Sequence, residues 1–245
     1  AGEGCFVWNP IPDLASTTVK VRVKNTADTA VTKTSGTFKI RGSVDTVPAP
    51  AGAAIVAVAT STTITWTTSG TGAIPTVTLE VSPNGFADEL ENVTIATAVT
   101  NGSNTGCTAP AGEGCYIWTV ADGTASVGAK VRVKHATDAT VAKTSAAFTM
   151  RGTIDTVPQP ATSEVVLVGG SKTIRWTSTG NQAIPNVAIE YSTNAFSDET
   201  QTTTITGSAT NGSNAGCTAP AGEGCFVWNP IPDLASTTVK VRVKN

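Results

Sequence analysis

The chain has 245 residues and a formal net charge of −2, from 16 Lys and Arg against 18 Asp and Glu. This near balance excludes a strong electrostatic attraction for nucleic acid or for an anionic membrane surface. Only 14% of the residues are charged, so Thr and Ser supply most of the polarity, which favours strands with a hydrated face. No run reaches the roughly 18 apolar residues of a membrane helix, and we expect no membrane insertion.

One stretch of sequence divides the chain into repeats. Residues 1–25 and 221–245 are identical, and residues 111–135 keep 13 of the 25 positions. The three copies begin at Ala1, Ala111 and Ala221, a constant offset of 110, which indicates an array of repeats. Since identity is complete only at an offset of 220, the longer unit is interpreted as a pair of domains.

Residues 1–42 are predicted to hold the last three strands of one repeat. Residues 6–8 begin the fifth strand, and a Pro-rich bend follows at residues 9–13. Residues 19–24 alternate apolar and polar side chains, the period of a strand with one buried face. Residues 37–41 alternate in the same way and end the repeat. The side chains predicted to point inward from the sixth strand are Val19, Val21 and Val23.

Residues 43–152 are predicted to form one complete repeat. The entry at residues 47–50 contains two prolines and therefore cannot be a central strand. Seven strands are predicted after it, at residues 55–58, 62–67, 77–82, 93–99, 114–120, 129–135 and 146–151. Seven short strands separated by turns, without helical periodicity, predict an all-β, antiparallel sandwich. Trp66 alternates with Ile64, which predicts a core position rather than a sugar-stacking platform.

Residues 153–245 repeat this pattern but lack the seventh strand. The junctions between repeats are short and contain proline, which favours a stiff, repeated angle between domains. One interpretation is a continuous chain of which these residues are a window. The other is that separate subunits supply each other's missing strand. We prefer the first, because an incoming residue 1–42 segment brings two strands that residues 153–245 already own.

The five cysteines repeat with the array. The spacing Cys107–Cys115 recurs as Cys217–Cys225, which predicts one local disulfide in each repeat. Such a loop adds about 2.6 kcal/mol in the chain-entropy model and indicates an oxidising compartment. A zinc site is disfavoured, because the chain has one His and no CxxC. Cys5 is predicted to be unpaired here, its partner lying on a preceding segment.

No catalytic arrangement is recognisable, and we expect no enzyme, cofactor or metal. The only histidine, His135, is matched by Asn25 and Asn245 in the other copies, so it is interpreted as a surface residue. No Ser/His/Asp or Cys/His set is available for nucleophilic catalysis. The acidic pair Asp88–Glu89 could serve glycoside cleavage or calcium binding, but a solvated loop is the preferred interpretation.

Three positions fit the glycosylation sequon: Asn92, Asn101 and Asn211. The last two coincide in the two repeats, but the same triplets make ordinary turns. Glycosylation at these sites is a hypothesis that the residues leave open.

The core motifs carry a family resemblance. Residues 63–67, 77–82, 116–120 and 130–133 are similar to tandem Ig-like or fibronectin-III-like repeats of large bacterial surface proteins. They also resemble the Ser/Thr-rich Ig-like domains of fungal wall proteins. The resemblance covers the whole chain and implies tandem seven-stranded antiparallel Ig-like β-sandwiches. It further implies extracellular, non-enzymatic repeats in adhesins, stalks or fibres.

Two functions are weighed. The first is a structural repeat of an extracellular filament or giant cell-surface fibre, whose partners are other copies of itself. The second is an adhesin or carbohydrate-binding module that contacts surface glycans, with Phe86 and Phe196 as the aromatic candidates. The near-identical copies of the repeat favour the first function, since uniform repeats suit a protein whose role is to provide length and stiffness.

Overall fold

The computed structural model describes residues 2–234 and 236–245, and its elements are strands and two short 3₁₀ turns. The N-terminal strands are β1 (Ser16–Val19), β2 (Arg22–Lys24), β3 (Thr32–Thr34) and β4 (Phe38–Ile40). Next come β5 (Ser43–Ala49), β6 (Ile55–Ala57), β7 (Ser61–Ser69), β8 (Thr76–Ser82), β9 (Val93–Thr100), β10 (Glu113–Thr119), β11 (Ser126–His135), β12 (Ala142–Thr144) and β13 (Phe148–Arg151). The last are β14 (Thr153–Gln159), β15 (Lys172–Thr179), β16 (Asn186–Ser192), β17 (Thr202–Thr210), β18 (Glu223–Trp228) and β19 (Lys240–Lys244). The 3₁₀ turns are Glu89–Glu91 and Glu199–Gln201.

The chain forms two compact units. The first unit holds residues 1–52, 63–118 and 130–147, and the second holds residues 53–62, 119–129 and 148–245. Strands β7, β10 and β11 therefore contribute residues to both units. No helix among the described residues is long and apolar enough to cross a membrane.

The strands of residues 43–152 pair into two sheets. One sheet has the order β10-β7-β5, and the other has the order β6-β13-β11-β8-β9, with β12 paired to β11. Labelled A to G, β5, β7 and β10 are A, B and E, and β8, β11 and β13 are C, F and G. This is the strand order of an Ig-like sandwich. Strand β8 is antiparallel to β9 and β11, and β13 is antiparallel to β11 but parallel to β6.

Alternating side chains fill the interior of the first unit. Ile64 and Trp66 on β7, and Val77 and Leu79 on β8, are fully buried, as is Val131 on β11. The intervening threonines of β7 are half-buried, whereas Thr78 and Glu80 on β8 are buried as well. The burial of these apolar positions is the main stabilising contribution to the unit.

The second unit has its own core and the same strand order in residues 153–245. Its sheets are β14-β15-β18 and β17-β16-β19. The core cluster centres on Ile174, Trp176, Ile184 and Ile189. The Ig-like, all-β prediction is confirmed for these sheets, and both Trp66 and Trp176 lie in the core as expected.

All seven predicted strands of residues 43–152 are found, and two further strands were not predicted. The first, β5, contains Pro48 and lies at the edge of its sheet, with register shifts against β7. A proline is tolerated there because an edge strand has one free row of amides. The second, β12, has three residues and is too short for a periodic signal.

The N-terminal residues differ from their prediction in two respects. Residues 6–8 form no strand, and Val21 and Val23 are 41% and 72% exposed. Strand β10, which carries the matching sequence, pairs with β7. No strand among the described residues pairs in this way with residues 6–8, so the sequence pattern alone does not bury them.

Candidate assembly sites

A carboxylate from the N-terminal residues caps a turn of the following repeat in the first unit. Asp13 Oδ2 accepts a hydrogen bond from the Gly72 amide at 2.9 Å, and Oδ1 accepts one from the Ala73 amide at 3.1 Å. Thr71 Oγ1 donates to Oδ2 at 3.3 Å. The Gly72 bond is the largest cause that lowers the pKa of Asp13, against a smaller opposing effect of burial. We call this contact the carboxylate joint.

A second carboxylate joint lies in the other unit. Asp122 Oδ2 accepts a hydrogen bond from the Gln182 amide at 3.3 Å. Gln182 corresponds to Gly72 at an offset of 110, so the two capped turns are equivalent. The residue that corresponds to Asp13 at this offset is Gly123, and not Asp122. The carboxylate of the second joint therefore lies one residue earlier in the repeat than that of the first, yet both accept a hydrogen bond from the equivalent amide.

Sequence reasoning missed both carboxylate joints. A detectable signal was the turn sequence Gly-x-x-Ala-Ile-Pro at residues 70–75 and 180–185. An acidic residue in the bend before the sixth strand was the other half of that signal. Neither the turn sequence nor the acidic residue indicates the other, because the two features are far apart in the sequence.

A third copy of the acidic bend lies near the end of the second unit. The Leu14 amide donates to the Pro12 carbonyl at 2.9 Å, and the Leu234 amide donates to the Pro232 carbonyl at the same distance. The bends around Asp13 and Asp233 therefore share this backbone hydrogen bond. Asp233 is exposed and makes no hydrogen bond of this kind with the described residues.

At each junction between repeats, a glycine packs closely against the turn that the carboxylate caps. A Cβ on Gly42 would lie 2.7 Å from Ile74 Cγ1 and 2.9 Å from the Gly70 carbonyl oxygen. A Cβ on Gly152 would lie 2.7 Å from both Ile184 Cγ1 and the Gly180 oxygen. Only glycine permits this approach, and the linker is therefore held at its exit from one repeat.

The N-terminal residues expose apolar side chains whose counterparts in the complete repeat are half-buried or buried. Phe6, Val7 and Val23 are 90%, 82% and 72% exposed. At an offset of 110, Val23 corresponds to Val133, which is fully buried.

An open groove lies in the second unit. Its volume is about 840 Å³, and it is lined by Val166, Leu167, Val168, Leu234, Ser236 and Thr237. Leu167 and Val168 are 74% and 51% exposed. No strand among the described residues lies in this groove.

Two disulfides close the predicted loops. Cys107 is bonded to Cys115 with a Cα–Cα distance of 6.1 Å, and Cys217 to Cys225 at 6.2 Å. Cys5 is free and exposed. Disulfides are typical of oxidising compartments.

A cluster of charges ties β8 to β11 and covers Phe86. Arg132 donates to Glu80 and, through both terminal nitrogens, to Glu89 at 2.8 Å. Lys134 also pairs with Glu80. Burial raises the pKa of the Glu80 carboxyl, but the hydrogen bonds from Lys134 and Arg132 outweigh it, and the net pKa lies below the ordinary value. The Arg132 guanidinium lies 4.3 Å from the Phe86 ring centroid.

The second unit has the same cluster. Arg242 pairs with Glu190 and Glu199 and lies 4.4 Å from the Phe196 ring centroid. The side-chain bonds from Lys244 and then Arg242 lower the pKa of Glu190. Each phenylalanine therefore already has a cation on one ring face.

The sequon residues differ in their surroundings. Asn101 accepts a hydrogen bond from Trp66 Nε1 at 2.8 Å and donates to the Ile74 carbonyl at 2.9 Å. Asn211 accepts one from Trp176 Nε1 at 2.7 Å and is buried. Asn92 donates to Glu89 near the surface. Glycosylation stays a prediction, and at Asn101 or Asn211 a sugar would have to be attached before the fold closes.

The remaining candidate residues have local structural contacts. His135 Nδ1 accepts a hydrogen bond from the Asp138 amide at 2.9 Å. Asp88 caps the first 3₁₀ turn by accepting from the Leu90 amide. Among the described residues, no group of three or more His, Cys, Asp or Glu side chains could hold a metal ion.

Comparisons with known proteins give little beyond the fold class. No family model and no curated protein matches the sequence. A crystal structure of titin domains Z1Z2 in complex with telethonin is similar at 12% identity and a TM-score of 0.26, covering 84% of this chain and 90% of that one. A chimeric titin Z1Z2 with an exogenous decorin peptide gives 12% identity, a TM-score of 0.23, and coverage of 83% and 89%. At these TM-scores the likeness carries no argument, and the fold assignment rests on the strands and their pairing.

Proposed function

We propose that this chain is a non-catalytic structural repeat of an extracellular filament or giant cell-surface fibre. The repeating unit is a two-domain pair that recurs at an offset of 220, with domain boundaries after residues 42 and 152. The observation that carries the proposal is the carboxylate joint, which occurs once in each compact unit.

The carboxylate joint supports a load-bearing array rather than loosely strung domains. A flexible linker would leave the orientation of successive repeats free. Here the junction glycine packs against the turn that the carboxylate caps. Three hydrogen bonds at the first turn and one at the second therefore act beside a glycine that allows no side chain, which favours a fixed angle at each junction.

The disulfides and the composition support an extracellular location. Structural disulfides such as these two are common in oxidising compartments and rare in the cytosol. A surface rich in Thr and Ser, with 14% charged residues, suits that environment. The carbohydrate-binding alternative requires Phe86 and Phe196, and one ring face of each is already taken by Arg132 or Arg242.

Electron microscopy of the native protein tests this function. We expect long, thin fibres with an axial repeat equal to one or two domains. Single globular particles at all protein concentrations would refute the proposal. Glycan-array binding that is lost in Phe86→Ala and Phe196→Ala variants would instead favour the adhesin.

A further inference from the structure

Residues 43–152 have four strands at sheet edges, and three of them are protected within the strand itself. An exposed edge presents unpaired amides and carbonyls to other chains, unless proline, a bulge, a short strand or a covering loop prevents pairing. The edge strands are β5, β6, β9 and β10. Strand β5 contains Pro48, β6 has three residues, and β9 shows register shifts against β8. Strand β10 has seven residues and no proline, so its protection must come from elsewhere.

Strand β18, the counterpart of β10, is a regular edge strand. Six consecutive residues pair with β15 without a register shift, and none of them is proline. In such an antiparallel ladder, alternate residues point their N–H and C=O groups away from the neighbouring strand. Cys225 is one of these, because it lies opposite Arg175 while its N–H donates to the Gly212 carbonyl at 3.0 Å. The outer edge of β18 is therefore occupied by another part of the chain.

The occupying segment is a loop that precedes the strand, residues 102–107 and 212–217, which we call the edge loop. In the first copy, the Cys115 amide donates to the Gly102 carbonyl at 3.1 Å, and Asn104 Nδ2 donates to the Cys115 carbonyl at 2.8 Å. Both edge-facing groups of Cys115 are thus paired. Further along the strand, a Cβ on Gly106 would lie 3.3 Å from Ile117 Cγ1. The edge loop therefore reaches from Cys115 to Ile117 along the edge.

The disulfide ties the edge loop to the strand that it covers. Cys107 ends the loop and Cys115 lies on β10, and the two are bonded to each other. The Cys107 amide donates to the Asn104 carbonyl at 3.0 Å, which closes the turn of the loop. Ser103 Oγ accepts a hydrogen bond from the Ala109 amide at 2.9 Å. One covalent bond and these hydrogen bonds therefore hold the loop over the edge.

The edge loop and its surroundings are nearly identical in the two kinds of domain. Residues 101–115 share 14 of 15 positions with their counterparts at an offset of 110, whereas residues 43–100 and 116–135 together share 35 of 78. Packing on the buried tryptophans explains two of the identical positions. Asn104 and Gly106 instead have their contacts at the strand edge. Covering that edge therefore accounts for identity that the core does not require.

We propose that the edge loop is a cover that prevents β10 and β18 from pairing with the same edge of a second copy of this chain. Two such edges match in antiparallel orientation, because each strand carries no charged residue after its first glutamate. Uncovered edges would join through backbone hydrogen bonds, as in other cases of strand addition. The disulfide then serves chiefly to keep neighbouring molecules apart. This role belongs to each repeat alone and does not depend on the filament function.

Two sets of substitutions in the full 245-residue chain release the edge loop by different means. The first replaces the four disulfide cysteines with serine. The second is Asn104→Ala with Asn214→Ala, which keeps the disulfides but removes the side chains that donate to the edge carbonyls. The control is Thr105→Ala, because the second edge loop already has Ala215 at this position. The parent chain and every variant carry Cys5→Ser, which excludes thiol exchange by the free cysteine.

Hydrogen exchange measures whether the edge has been uncovered. In both released variants, the amides of residues 115 and 225 should exchange faster by on the order of tenfold, because the loop that accepts from them is no longer held. Amides at the centre of β7 and β15 should keep their protection, and Thr105→Ala should match the parent chain. Unchanged exchange at residues 115 and 225 overturns the proposal. A loss of protection throughout β7 and β15 in both sets also overturns it, because the loop would then support the core.

Sedimentation velocity tests the pairing of the uncovered edges. Both released variants should form oligomers that grow with concentration beyond any formed by the parent chain. Adding Ile117→Pro and Val227→Pro to the Asn104→Ala, Asn214→Ala variant should abolish this excess. These residues are two positions beyond the cysteines, so their amides point outward, and proline at an edge removes the donor without breaking the inner ladder. Oligomers no larger than those of the parent, or oligomers that persist with the prolines, overturn the proposal.

Discussion

Trp66 and Gly114 show how closely single residues are matched in the core. The indole is fully buried, and its N–H is satisfied by Asn101. A Cβ on Gly114 would lie 2.1 Å from Trp66 Cε2. Gly224 has the same relation to Trp176, at 2.0 Å. The second glycine of the AGEGC sequence is therefore required, because the tryptophan ring packs directly on it.

A Gly114→Ala substitution is expected to destabilise the protein strongly. The added methyl overlaps a ring that neither moves freely nor faces solvent, and such overpacking costs about 3 kcal/mol. Chemical denaturation followed by fluorescence measures the loss. Gly128→Ala is the matched control, because no atom lies within 4 Å of its Cβ position. Equal stability of the two variants would contradict the assigned contact.

At the scale of the elements, β8 and β11 are joined by charges as well as by backbone pairing. Glu80 is buried and is held by Lys134 and Arg132. On β16 and β19, Glu190 has the same position beside Arg242 and Lys244. A buried carboxylate of this kind must stay ionised for its partners to be satisfied.

These carboxylates predict an acid-sensitive fold. The pKa values of Glu80 and Glu190 are lowered from an ordinary value of 4.5. A depressed folded-state pKa contributes stability above the unfolded value, and this contribution is lost as pH falls through the folded one. The thermal midpoint should therefore change little from pH 7 to pH 5 and fall below pH 4.5. In a Glu80→Gln, Glu190→Gln double variant, this fall should be smaller, and an unchanged pH profile would contradict the assignment.

The strands were predictable because their periodicity is a property of the local sequence. Alternation placed β7, β11 and β15 correctly, since the buried side chains recur at every second residue. The same alternation in residues 19–24 predicted burial that does not occur, because burial also needs an opposing sheet. Local patterns therefore predict which face of a strand is apolar, but they do not supply the surface that covers it.

At the scale of the whole molecule, the carboxylate joints were beyond sequence reasoning. An acidic residue in a bend has many possible partners, and the capped turn lies in the next repeat along the chain. The disulfides were predictable, because their eight-residue spacing closes a local loop. Sites formed by distant segments become visible only once the strands have been placed.

Hydrogen exchange measures the carboxylate joints directly. Asp13→Ala should accelerate exchange of the Gly72 amide, because its acceptor is removed, and should affect the Ala73 amide less, because that amide also donates to the Gly70 carbonyl at 3.1 Å. The effect should stay within that turn, since the joint is a local opening unit. Asp233→Ala is the matched control: it alters an identical bend and should leave these amides unchanged. If both variants behave alike, Asp13 does not hold the turn.

The parallel pairing of β6 with β13 has a mechanical consequence. These strands lie near the two ends of residues 43–152 and run side by side. The Thr149 amide donates to the Ala54 carbonyl, and the Val58 amide donates to the Arg151 carbonyl. A tension applied along the chain slides two parallel neighbours past each other, so it loads these bonds in shear together rather than one after another. Rupture then requires several bonds to fail at once, and a fibre of such domains would resist sudden pulling far better than their modest size suggests.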